Sequence, residues 1–337
     1  MRVLVTGGTG FLGRRVAQRL ARDHEVVLLV RAPAERPGLP AGARVVAGDV
    51  TDRASLERAL AGCDAAVHAA ALVKILAPAA EFDRINLGGL DNFLAAARTA
   101  GVERQLYVSS FIALGPTERL PGRAADEGAE PSGPHGASRR WINHYERTKT
   151  LADRRAREAI AAGAPLSVVY PGVVYGPGEL TEGNIVVRHL LDLAAGRLPG
   201  LVGRRRRLWN YVFVEDVADG VARALEQGVA GSRYCLGGVN VSLGGFYDLV
   251  GEIGGIRVPR RRIPDPVAKT AGLAAREWAR MTGGTPKLTP DLVEVYRHDW
   301  ALDSDRAYAE LGCRPRSLRE GLEETVSWLR ETGRWQR

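Results

Sequence analysis

The sequence predicts an α/β fold: a parallel sheet doubly wound by helices, followed by a smaller C-terminal α/β lobe. Three observations predict it. The chain opens on a short apolar strand that runs directly into glycines at 7, 10 and 13. Short Val-rich apolar runs then alternate with amphipathic segments as far as Gly172. Those runs are apolar on both faces, which suits parallel strands covered on both sides. Alternation at this spacing makes βαβ units, and such units wind a sheet on both faces.

The elements follow in order. Val3 to Thr6 is the first strand. Gly7 permits a tight strand-to-helix turn, and Gly10 lets backbone N–H groups approach a pyrophosphate. Gly13 lets the helix from Arg14 to Arg22 pack closely, with its positive end aimed at the anion. Thr9, Phe11 and Leu12 complete this predicted cofactor turn. Val26 to Val30 and Arg44 to Ala47 are strands, Ala54 to Leu60 a helix, and Ala65 to His68 a strand. A long helix is predicted over Glu81 to Ala100, with apolar positions at 85, 90, 93, 94 and 97, and Gln105 to Val108 is the fifth strand.

Residues 115–140 are dense in Gly, Pro and charge, and so long a loop inside a domain is usually functional. A helix from about Trp141 to Ala162 and a strand from Leu166 to Tyr170 close this region at Pro171-Gly172. Strands at Tyr211 to Val214 and Arg233 to Leu236 follow, with helices at Asp216 to Glu226, Gly244 to Ile253 and Leu318 to Arg330. We therefore expect a dinucleotide-binding core over 1–172 and a mostly substrate-binding lobe over 173–337. Elements near 208–226 are expected to return to the core.

Composition narrows the function classes. With 337 residues and 45% hydrophobic content, the chain can bury a large core. A net charge of +8 suits an anionic cofactor or a nucleic acid. The dense basic run, Arg204 to Arg207, has no interleaved aromatics, so it reads as a solvated loop and no nucleic-acid partner is expected. Cys63, Cys235 and Cys313 are widely spaced and cannot make a complete disulfide set, which suggests the reducing cytoplasm. With the glycine turn this early, no signal peptide is expected, and no apolar run is long enough for a membrane span. The six histidines show no metal-ligand spacing, so no metal is expected.

The chemistry concentrates in two places. Tyr145 and Lys149 stand four residues apart on one face of a predicted helix. A phenol must drop roughly 3 pKa units to work as a base at neutral pH, about 4 kcal/mol of differential stabilisation. The neighbouring ammonium is expected to supply part of it, and to hold the nicotinamide ribose. Ser109-Ser110 ends the fifth strand, at the sheet edge where open α/β folds place ligands. A hydroxyl there can orient a carbonyl while Tyr145 moves the proton. Of the two serines, Ser110 is favoured.

Taken together, these residues resemble the extended short-chain dehydrogenase/reductase superfamily, also described as the NAD-dependent epimerase/dehydratase family. The resemblance rests on Thr6-Gly-x-x-Gly-x-x-Gly13, Gly48-Asp-Val-Thr-Asp52, His68-Ala-Ala-Ala71, Ser109-Ser110, Tyr145-x-x-x-Lys149 and Pro171-Gly-Val-Val-Tyr-Gly176, in that order. The tail from Asp303 through Leu311-Gly312 and Pro315 to Trp328 extends it over nearly the whole chain. The sequence is most similar to the dihydroflavonol 4-reductase-like group, and similar also to hopanoid-associated sugar epimerases. The resemblance implies a Rossmann fold and roles by position. Asp49 and Val50 would line the adenine, and Ala69, Ala70 and Ala71 the ribose and pyrophosphate. Asn86 would support the cofactor, and Pro171, Val173 and Val174 would flank the nicotinamide. It also implies a homodimer through packing of the long helices.

Cofactor choice falls to the end of the second strand. Arg31 stands where an acidic residue would accept from a ribose 2′-hydroxyl, and a guanidinium suits a 2′-phosphate. NADP(H) is therefore expected over NAD(H). Nucleotide-sugar enzymes of the family commonly carry an Arg-Asp-Tyr-like triplet, and this chain has Trp209-Asn210-Tyr211 there. Leu72, Val73, Ile75 and Leu76 suggest a partly apolar substrate, with Lys74 as an anion contact. The leading expectation is NADPH-dependent reduction of a ketone or aldehyde on a small, partly apolar molecule. Two alternatives remain beside it: a sugar or nucleotide-sugar epimerase or dehydratase, and a non-catalytic NADP(H)-binding protein. Phe111-Ile112 occupy the place where a dehydratase would carry an Asp-Glu pair, which ranks that chemistry last.

Overall fold

The computed structural model describes residues 1–32, 38–74, 76–118, 120, 122, 124–130, 133 and 141–335. Ile75 and much of the 115–140 loop therefore fall outside the described residues. The strands among those described are β1 (Arg2–Thr6), β2 (Glu25–Val30), β3 (Arg44–Ala47), β4 (Ala65–His68), β5 (Arg104–Val108), β6 (Leu166–Pro171), β7 (Val173–Tyr175), β8 (Leu208–Phe213), β9 (Arg233–Leu236) and β10 (Val239–Ser242). Seven of them form one parallel sheet in the order β3-β2-β1-β4-β5-β6-β9. The order reverses between β1 and β4, which opens a crevice at the strands' C-terminal ends.

Helices cover both faces, as the apolar runs require. They are α1 (Phe11–Leu20), α2 (Arg53–Leu60), α3 (Ala79–Phe82), α4 (Gly89–Thr99), α5 (His144–Ala161), α6 (Ile185–Ala194), α7 (Val214–Gln227), α8 (Leu243–Gly254), α9 (Asp265–Thr282), α10 (Pro290–Val295), α11 (Asp305–Leu311) and α12 (Leu318–Glu331). Alternate residues of each strand face opposite ways. Val3, Val5, Val26 and Leu28 pack with Val16 and Leu20 of α1 and with Val217 and Val221 of α7. Leu4, Val27 and Leu29 pack on the other face with Leu56 of α2, Phe93 of α4 and Ala152 of α5.

The predicted long helix and α5 differ from expectation, each for a local reason. The predicted long helix is interrupted by a π-helical segment, Asp83–Gly88, between α3 and α4. Such bulges turn a side chain out of the regular ladder, and here Asn86 is buried within it. α5 begins at His144 and not near Trp141, because Asn143 caps it. The Asn143 side chain accepts from the Glu146 N–H at 2.8 Å, and Glu146 reaches back to accept from the Ile142 N–H at 2.7 Å.

The second lobe is built on a three-stranded sheet, β10-β8-β7. β8 pairs in parallel with β7 and antiparallel with β10. The strand at 208–213 therefore stays in the lobe. The segments that return are α7, packed on α1, and β9, hydrogen-bonded to β6. Burial explains the split: α7 carries an apolar stripe for the main sheet, while β8 carries Trp209, Tyr211 and Phe213 into the lobe core. α6, α8 and α12 supply Leu190, Phe246, Tyr247 and Leu322 to the same core. No helix among the described residues is long and apolar enough to cross a membrane.

Candidate active site

One continuous cavity of about 730 Å³ runs from the glycine turn into the second lobe. Its floor is the β1–α1 junction. Gly7 sits at φ +74°, and a Cβ there would lie 2.7 Å from the Ala70 nitrogen. A Cβ on Gly13 would lie 2.2 Å from the Gly7 carbonyl oxygen. Both positions thus need glycine, the first for conformation and contact and the second for contact alone. The helix begins at Phe11, three residues earlier than predicted, because Gly10 is already the extended cap residue. Gly10 has no side chain to satisfy the first-turn N–H groups, and the first turn holds no acidic residue. Those donors and the helix dipole are left for a ligand's anionic group.

Most of the expected residues meet on this one surface. Gly7, Thr9, Gly10, Phe11, Leu12 and Gly13 form the floor. Arg31, Asp49 and Val50 line one end, and Ala69, Ala70 and Ala71 follow along the end of β4. Ser110, Tyr145, Lys149, Pro171, Val173 and Val174 line the middle. Arg31 is exposed there. Asn86 differs: it stands behind the wall. Its side-chain oxygen accepts from the Leu72 N–H at 2.7 Å, and its amide donates to the Leu72 carbonyl at 3.2 Å and the Thr148 hydroxyl at 3.0 Å. Asn86 thereby fixes the strand of wall that follows Ala71 against α5.

Burial dominates the site's electrostatics. Lys149 is buried, donates to the Val108 carbonyl at 2.9 Å and to the Tyr107 hydroxyl at 3.4 Å, and is pulled down to about 7 by desolvation, against the opposing pull of Asp153. Burial pushes the Tyr145 phenol up, and the hydrogen-bonded Ser110 hydroxyl pulls it partly back. This corrects the expectation that the ammonium holds the phenol low: in the protein alone, Tyr145 is a neutral proton donor. His68, below the site, is held neutral by burial first and Lys149 second, near 3; its ring meets Thr6 Oγ1 at 2.9 Å and stacks on Phe93.

The far end of the cavity is aromatic. Trp209, Tyr211, Phe246, Tyr247 and Tyr296 line it. Tyr211 lies flat on Phe246 at 4.1 Å, and Trp209 on Tyr296 at 4.7 Å. The Trp209 indole donates to the His298 carbonyl at 3.2 Å. His189, pulled down to about 4 by burial, contacts the Tyr247 hydroxyl at 3.0 Å. Sequence reasoning reached Trp209 and Tyr211 but missed His189, Phe246, Tyr247 and Tyr296, which come from three separate segments and share no motif. Leu72, Val73 and Lys74 do line the cavity. Arg205 and Arg207 are engaged elsewhere, with Asp248 and Asp299.

The fold and this cavity together define a dinucleotide-dependent enzyme of the extended short-chain dehydrogenase/reductase type. The chain belongs to the NAD dependent epimerase/dehydratase family, whose model matches residues 3–237. A Synechocystis protein provisionally named dihydroflavonol 4-reductase is 30% identical, over 98% of this chain and 94% of that protein. The 4-hydroxy-2-methyl-3-oxo-4-farnesyl-3,4-dihydroquinoline-1-oxide ketoreductase of Stigmatella aurantiaca is 31% identical, over 93% of this chain and 91% of its own. The crystal structure of gox2253 superposes with a TM-score of 0.81 at 32% identity, covering 99% of both chains. The chain is thus an NAD(P)-dependent enzyme, related to reductases, dehydrogenases, epimerases and dehydratases.

Proposed function

We propose that the protein is an NADPH-dependent reductase of a ketone or aldehyde carried on a small, partly apolar molecule. One observation carries the reading. The phenol of Tyr145, hydrogen-bonded to Ser110, shares a cavity with an aromatic wall, and Trp209 stands where a diphosphate-binding arginine would be expected. That wall suits a flat or isoprenoid body better than a sugar nucleotide. The farnesyl-quinoline ketoreductase relative bears a name of the same chemistry.

A dinucleotide fits the cradle, since a Cβ on either Gly7 or Gly13 would collide with backbone and the α1 N-terminus has no side-chain cap. When bound, the nicotinamide supplies the hydride. The glycine turn binds the pyrophosphate; Asp49 and Val50 contact the adenine. Ala69 to Ala71 line the ribose path, and Pro171, Val173 and Val174 flank the ring. Arg31 binds a 2′-phosphate, which selects NADP(H) over NAD(H). Lys149 holds the ribose. Ser110 donates to the substrate carbonyl oxygen, and Tyr145 delivers the proton to it. Asn86 acts at one remove, by fixing Leu72.

On this reading, residues 1–172 with α7 and β9 hold the cofactor, and the rest of 173–337 holds substrate. We further propose a homodimer through the long helices, to be read by sedimentation velocity. The three buried free thiols suit a cytoplasmic setting.

The test follows NADPH absorbance over a panel of aryl and isoprenoid ketones, with nucleotide sugars alongside. The reading predicts NADPH loss matched by alcohol formation, abolished in Tyr145→Phe. Conversion of a nucleotide sugar at constant cofactor would overturn it in favour of epimerisation.

A further inference from the structure

Helix α9 is built inside out. Its inward face is small: Ala268, Gly272 and Ala279 are buried. A Cβ on Gly272 would lie 2.9 Å from the Thr289 carbonyl carbon, so the helix is seated as closely on the chain before α10 as glycine allows. Its large apolar residues point the other way. Val267 is 58% exposed, Trp278 66% and Met281 75%. At spacings of 11 and 3 residues these share one helical face, with exposed Ala271 and Ala274 between them. An amphipathic helix ordinarily turns such residues inward, so this stripe is laid out for something outside the protein.

The charge around it says what. Between Arg257 and His298 the sequence carries nine Lys or Arg against four Asp or Glu. Arg260 and Arg261 are exposed on the approach to the helix, and Arg276 and Arg280 stand along it, sharing Glu277. An exposed apolar stripe with Trp, on a segment that carries an excess of cations, is the pattern of a helix that lies in a lipid interface. A second copy of the chain fits poorly, because a two-fold contact would bring the same cationic segment against itself.

We propose that α9 docks the protein, without spanning, on an anionic membrane surface, with Val267, Trp278 and Met281 entering the headgroup boundary and the exposed Arg260 and Arg261 on the phosphates. α9 also packs on α10, whose Leu292 and Val295 line the aromatic cavity. The docked face therefore lies one helix from the substrate chamber. The inference stands on the surface alone and does not depend on the reductase reading.

Flotation of the full-length protein with phosphatidylcholine vesicles, with and without phosphatidylglycerol, tests it. Binding is expected to rise at least about tenfold with the anionic lipid and to fall at about 1 M salt, where charges are screened. A brominated lipid should quench fluorescence in the wild type and not in Trp278→Ser. The double variant Trp278→Ser with Met281→Ser should lose at least about tenfold in binding with an unchanged melting curve. Arg260→Glu with Arg261→Glu, a change confined to exposed charges, should do the same. Absence of vesicle binding, binding indifferent to phosphatidylglycerol, or binding intact in both double variants would overturn the proposal. So would wild-type self-association that Trp278→Ser with Met281→Ser abolishes, without lipid binding.

Discussion

Lys149 is fixed on the backbone of β5, its ammonium donating to the Val108 carbonyl at 2.9 Å one helical turn from Tyr145. The site is therefore braced from within the sheet, and the cost of that brace is a buried cation. Desolvation pulls Lys149 from 10.5 to about 7, with Asp153 opposing.

The first prediction follows from that cost. Lys149 binds its proton less tightly folded than unfolded, so between about pH 7 and 10.5 unfolding takes up a proton and stability climbs with pH. Below about pH 7 both states hold the proton and the whole penalty stands. Lys149→Met in the cofactor-free enzyme should be more stable than wild type at pH 6, by up to roughly 5 kcal/mol at about 1.4 kcal/mol per unit. The gain should fade towards pH 10. Thermal melts across this range check it, and a pH-independent difference would refute the assignment.

The two serines should separate kinetically. Ser110→Ala removes the hydroxyl bonded to Tyr145 and should lower kcat on a ketone by roughly 10²-fold, with cofactor Kd unchanged. Ser109→Ala should stay within about threefold. Equal losses in both would remove Ser110 from the chemistry.

Because burial raises Tyr145, carbonyl reduction should run at neutral pH while the reverse alcohol oxidation gains rate only on the alkaline side. Initial rates in both directions against pH measure this. An oxidation limb centred below pH about 7 would contradict the neutral phenol.

Arg31→Asp should reverse the NADPH/NADH preference by replacing a phosphate donor with an acceptor for the ribose hydroxyls. Titration of both cofactors by fluorescence reads it out. An unchanged ratio would take Arg31 out of cofactor choice.

Gly13→Ala would set a methyl 2.2 Å from the Gly7 carbonyl oxygen. Overpacking of this kind typically costs about 1–3 kcal/mol, and the displaced turn should weaken dinucleotide binding at least about tenfold. Calorimetric titration with wild-type affinity would show that the contact is relieved some other way.

Much of this protein could be read from its residues alone. β4 and β9 stand where the apolar runs put them, because a strand buried on both faces announces itself in composition. The glycine turn was equally legible, since φ and close approach leave few residue types to choose from. Signals that depend on side-chain capping were weaker. Asn143 with Glu146 marks the start of α5, yet the apolar pattern alone placed it earlier. The π-segment around Asn86 has no periodic signature, and its residue could be named without revealing that it holds Leu72.

The sequence by itself determined the sheet, the glycine turn and the spacing of Tyr145 and Lys149 one helical turn apart, because each is local and obeys a short spacing rule. Only the tertiary structure decided the rest. It brought His189, Tyr247 and Tyr296 to one chamber, set Lys149 on Val108, left Tyr145 neutral and turned Trp278 outward. These outcomes depend on which distant surfaces meet and on how much water they exclude, and no spacing along the chain encodes that.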